Sequence, residues 1–197
     1  MRTIRLPVLL ATALIGISSL ALAAPAPKSV VKLNDGKGSI DFVALVRPSS
    51  LRITGKGDAP QGELTIENGN ISGTVTFKTG SFDTGIKSRT DHTNHYLESP
   101  KYPVTTLKIT KLPVPAEAGD FSVAEAPFEG MLTLHGVEKA AKGTAKIDLK
   151  GNMIDVVAKM VVNTGAFGIE KPVYAALKMV EDVQVTIKET APVAAAK

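Results

Sequence analysis

The chain has 197 residues, no cysteine and no tryptophan, and 23 Lys and Arg against 19 Asp and Glu. Without cysteine there is no disulfide, thiolate ligand or thiol nucleophile, and the fold must rest on its core alone. Basic and acidic residues are interspersed, which excludes the clustered basic footprint of a nucleic-acid binder.

Residues 1–23 have the layout of a secretory signal. Arg2 and Arg5 form a positive start, an apolar run follows, and Ala21-Leu22-Ala23 is a small-residue cleavage site. The run is short for a membrane anchor and has no basic stop-transfer flank, so the expected mature protein has no integral membrane segment. Removing the leader leaves 21 basic against 19 acidic residues, a net charge of +2. The roughly 170 residues that remain suit one domain, assigned to 24–190, with a disordered Ala/Pro/Lys tail at 191–197.

From Val31 to Lys188 the sequence alternates apolar and polar residues. Ile40, Phe42, Ala44 and Val46 share one face, as do Leu64 and Ile66, then Ile71, Val75 and Phe77, then Leu107 and Ile109. The longest stripe is Ile154, Val156, Ala158, Met160 and Val162, and Val183, Val185 and Ile187 close the series. Period-two alternation gives one buried and one wet face, as in antiparallel sheets. Turn residues punctuate the runs at Asn34-Asp35-Gly36, Ala59-Pro60-Gln61-Gly62, Glu67-Asn68-Gly69-Asn70 and Lys150-Gly151-Asn152. Short strands with tight turns predict an all-β sandwich or barrel. About eight strands close a barrel that is either filled by side chains or holds one small ligand, and spacing alone does not choose between them.

Two segments resist a strand reading. Residues 86–97 carry Ile86, Thr93 and Leu97 near helical spacing, which predicts a short helix crossing one end of the β-structure. Residues 171–179 read as a turn of helix or an irregular loop. The segment around the helix, 81–103, is also the densest in polar side chains. His92 and His95 lie three apart on one helical face and are candidates for a shared metal, yet no third ligand of fixed spacing is visible. The reading preferred for Arg89 and His92 is that they pin the helix to the barrel, with contact to a ligand head group ranked above metal. Asp83 and Thr84 are expected to make local turn bonds, and His135 to sit in a hairpin turn. No Gly-x-Ser-x-Gly, His-Glu-x-x-His, phosphate loop or dinucleotide fingerprint is present, so no enzyme is expected.

Several segments together resemble the YceI-like family, the periplasmic lipocalin-like polyisoprenoid-binding proteins. They are Asp83-Thr84-Gly85, Arg89-Thr90-Asp91-His92 and Lys101-Tyr102-Pro103, then residues 130–139, reading GMLTLHGVEK, then Phe167-Gly168-Ile169 and the terminal strand at 182–187. Asn163-Thr164-Gly165-Ala166 stands where the family commonly has Arg or Lys before the Phe-Gly. The resemblance implies an antiparallel lipocalin-like barrel of about eight strands with a short helix across one end. Its cavity would take an isoprenoid or quinone-type lipid, with no other cofactor, in the periplasm. Arg89, His92, Phe167, Val156, Ala158 and Met160 are then the candidate ligand-binding residues. The sequence leaves room for a homodimer. The alternatives are a metal-dependent hydrolase using His92 and His95, or a ligand-free, stress-related interaction module.

Overall fold

The computed structural model describes residues 28–34, 37–48, 51–116, 119–170, 173–174 and 177–195. The expected leader, Asp35-Gly36 of the first turn, residues 171–172 and 175–176 of the 171–179 segment, and residues 196–197 lie outside them. The elements in chain order are β1 (Ser29–Leu33), β2 (Gly38–Arg47), β3 (Arg52–Gly57), β4 (Gln61–Glu67), β5 (Asn70–Lys78), α1 (Lys87–Tyr96), β6 (Val104–Lys111), β7 (Phe121–Leu134), β8 (Val137–Lys150), β9 (Met153–Asn163), β10 (Val173–Tyr174), β11 (Leu177–Met179) and β12 (Asp182–Ala195).

Eight of these strands close an antiparallel barrel. The order runs β1, β4, β5, β6, β7, β8, β9, β12, and β12 returns to β1 through Val31↔Val193. Closure leaves the ring without an edge. β12 changes partner along its length: residues 184–189 pair with β2, and 193–195 pair with β1. β2 carries β3 on its other side, so β2 and β3 extend the wall past the ring.

The alternating stripes point inward as their period requires. Ile154, Met160 and Val162 of β9 are buried, with Val156 and Ala158 half-buried between them. Ile71, Leu107, Phe128 and Ile147 are among the most completely buried side chains. Each contributes about 1.5–3 kcal/mol by leaving water. The Glu67–Asn70 hairpin is a two-residue turn in which Asn68 and Gly69 both take positive φ, 51° and 72°, the twist-compatible geometry for a right-handed ribbon. His135 and Gly136 repeat it between β7 and β8, at φ 53° and 74°.

Two expectations change. The segment 191–195 is strand, not disordered tail, because 191–192 continue the pairing with β9 and closing the ring gives 193–195 backbone partners on β1. The described part of 171–179 is strand as well: β10 pairs with β11, and β11 adds to the free end of β2 through Lys178↔Arg47 and Met179↔Val46. An unpaired strand end offers backbone hydrogen bonds that outweigh the weak helical preference of a few alanines.

Candidate functional site

The helix is α1, and it sits where the sequence placed it. None of its residues is buried. It is therefore held by its ends and not by an apolar face. At its start, Asp83 and Thr84 make the expected local bonds. The Gly85 amide donates to Asp83 Oδ1 at 2.8 Å, and the Thr84 amide donates to Thr90 Oγ1 at 3.0 Å. Arg89 Nη2 donates to the Thr84 carbonyl at 2.8 Å. The backbone of Asp83 bridges to Lys56 of β3 in both directions. Phe82 meets Phe42 edge-on, ring centroids 5.2 Å apart. Glycine is required at 55 because a Cβ there would stand 2.2 Å from the Phe42 ring.

At the far end of the helix, Tyr96 and Leu97 pack against the core. The following turn then meets the β7–β8 turn. His135 Nε2 lies 3.0 Å from the Glu98 carboxylate without forming an aligned hydrogen bond, and Nδ1 donates to the Phe167 carbonyl at 3.2 Å. Tyr102 stacks on the imidazole at 4.6 Å, and Lys101 Nζ stands 4.9 Å above the Tyr102 ring. Lys101 and then His135 hold the Glu98 carboxyl below its ordinary 4.5. Tyr102 first, and Glu98 second, hold the Lys101 amine above its ordinary value. Helix α1, a lid across this end, is thus tied to the barrel at two points, through Asp83 to Lys56 before it and through Glu98 and Tyr102 to His135 after it.

The candidate residues fall into three places. Arg89 is half-buried at the first tie. His92 and His95 are exposed on the helix surface, and among the described residues no group of three His, Cys, Asp or Glu could hold a metal. His92 therefore does not join Arg89 in pinning the lid. Phe167 is buried inside the lid end, in a short 3₁₀ turn (residues 164–167) that Asn163 caps by accepting from the Ala166 amide. That cap gives the unusual Asn163-Thr164-Gly165-Ala166 segment its local reason.

Val156 and Ala158 line a partly open cavity of about 50 Å³ in the barrel. Met160 is buried on the same stripe but does not line it. Leu64, Ile71, Leu107 and Phe128 complete much of the wall, and Glu189 is its charged member. A space of this size has room for a few water molecules, and its apolar lining offers them almost no partners. Sequence reading missed Glu189. The β12 stripe continues past Ile187 through Glu189, Ala191 and Val193, and this continuation was the available signal.

A family model described as a YceI-like domain matches residues 32–191, so the chain belongs to that family. Among solved structures, the chain is similar to a polyisoprenoid binding domain from Saccharophagus degradans, at 18% identity and TM-score 0.61, covering 85% of this chain and 98% of that one. It is similar to BcnA of Burkholderia cenocepacia, at 15% identity and TM-score 0.63, covering 78% and 96%. It is also similar to the YCEI protein of Campylobacter jejuni, at 17% identity and TM-score 0.55, covering 74% and 85%. At these identities the likeness establishes the shared fold. No curated protein sequence matches the chain.

Proposed function

We propose that this member of the YceI-like domain family binds the apolar chain of a long amphiphile inside its barrel, as a carrier or buffer in the periplasm. The class is isoprenoid-type and includes quinone-type lipids. The observation that carries the reading is the cavity lined by Val156, Ala158 and other apolar side chains within a closed barrel. Each CH₂ moved there from water contributes about 0.8 kcal/mol. The similar structure whose name describes a polyisoprenoid binding domain supports the ligand class. The signal-like layout of residues 1–23 supports export.

The cavity is small beside the ~300–1,000 Å³ of ordinary ligand pockets. A long chain therefore enters only as side chains and the lid move. The lid is the part that opens at least cost, since no residue of α1 is fully buried and only its ends pack against the core.

The cavity's size also favours a second reading, a barrel filled by its own side chains that acts as a ligand-free interaction module. Titration with a fluorescent isoprenoid analogue separates the two. Saturable uptake at one chain per barrel supports binding. No uptake at any concentration, with the protein folded, supports the filled module.

A further inference from the structure

On β12 the inward stripe reads Val183, Val185, Ile187, Glu189, Ala191 and Val193, and the outward residues between them are Gln184, Thr186, Lys188, Thr190 and Pro192. A carboxyl thus occupies a position whose neighbours on the same face are aliphatic. Glu189 is buried, 7% exposed, and lines the cavity. Its cross-strand partner on β9 is Val156, which lines the same cavity. Its partner on β2 is Gly38, and a Cβ there would stand 2.0 Å from Glu189 Oε2. The carboxyl therefore takes the side-chain space that glycine leaves vacant. It is seated in the wall and is not a surface acid folded inward.

The position along the wall is also distinctive. Pairing of β12 with β2 ends at Glu189↔Gly38, and pairing with β1 begins only at Val31↔Val193. Glu189 thus stands where the ladder changes partner. Pro60 and Leu33 also line the cavity. A carboxyl has about four lone-pair sites, so it can serve a ligand in addition to any protein group.

From this placement we propose that Glu189 is a polar subsite of the cavity that receives a hydrogen-bond-donating end, hydroxyl or ammonium, of the bound amphiphile. A buried acid strengthens with such donors in a poorly solvated site and disfavours an anionic end. The ligand class narrows from amphiphiles in general to donor-terminated ones, prenyl alcohols, amines or hydroquinones, with acids and diphosphates selected against at this end. The inference rests on the binding reading above.

The test uses three probes with one chain and three ends: farnesol, farnesylamine and farnesoic acid. Each is titrated calorimetrically into the full-length wild-type chain, Glu189→Gln and Glu189→Leu, with melting followed in parallel. Glu189→Gln keeps shape and polarity, so it reports even if Glu189→Leu does not fold. The expected result is that the wild type binds the alcohol and amine about tenfold or more tighter than the acid. Glu189→Gln should erase most of that preference by gaining affinity for the acid and losing it for the amine. If all three probes bind the wild type equally and the substitution changes nothing, the Glu189 subsite is overturned while the binding reading stands. If no probe binds the folded wild type, both fall.

Discussion

His135 and Glu98 face each other at 3.0 Å, one from the β7–β8 turn and one from the turn that follows the lid helix. Both take positive φ, 53° and 44°, a conformation that non-glycine residues rarely adopt. Two unusual backbone positions are thus brought together to make one contact. The other imidazole nitrogen meets the Phe167 carbonyl, so this single side chain joins the lid, the hairpin and the 3₁₀ turn.

This tie predicts an acid-sensitive lid. Lys101, and behind it His135, depress the Glu98 pKa below 4.5. A depressed carboxyl contributes stability that is present above the unfolded value and lost as pH falls through the folded one. The wild type should therefore melt above Glu98→Gln at pH 6, and the difference should shrink below about pH 4.5. Parallel melting curves across that range would show that the contact does not hold the lid.

The turn beside it constrains residue 136. Gly136 has φ 74°, and a Cβ there would stand 2.7 Å from the Tyr102 ring. Gly136→Ala should cost about 1–2 kcal/mol from the left-handed backbone alone, with the displaced ring adding to it. Chemical denaturation measures the loss, and near-UV dichroism reports the tyrosine. An unchanged midpoint would mean that the hairpin turn relaxes freely.

At the other tie, Arg89→Ala removes a donor from the Thr84 carbonyl. The expected loss is about 1 kcal/mol, since Arg89 is only half-buried. Proteolysis around 90–99 should speed up. His92→Ala, on the exposed surface, should change neither by a measurable amount. If both variants behave alike, the lid is held from its C-terminal end only.

Ala158 faces Ala145 across β8 and β9 and lines the cavity. A cavity of about 50 Å³ cannot take a phenyl ring without pushing the wall. Ala158→Phe should cost roughly 1–3 kcal/mol and abolish uptake of a fluorescent isoprenoid analogue. Val161→Phe, outward on the same strand at 61% exposure, should do neither. Normal uptake by Ala158→Phe would place the chain elsewhere.

Much of this was legible because strand alternation is local. The stripe from Ile154 to Val162, the 67–70 hairpin, the 86–97 helix and the turn at His135 all follow from neighbours in sequence. Three features do not. The 191–195 strand and the β10–β11 pair exist because distant strands offer them backbone partners. Glu189 breaks the apolar pattern, and a charge on a strand reads as outward unless the register is followed past it. The cavity's size depends on how Ile71, Leu107 and Phe128, from three different strands, fill the space facing β9, which no single segment states.

The central claim is that the barrel interior accepts an apolar chain. Native mass spectrometry of the protein, purified from cells without detergent and followed by organic extraction, tests it most directly. The account predicts a complex heavier than the chain by one isoprenoid-type molecule, which is recovered in the organic phase and is absent from Ala158→Phe. A folded wild-type protein with only the mass of its own chain, and an empty extract, would contradict it.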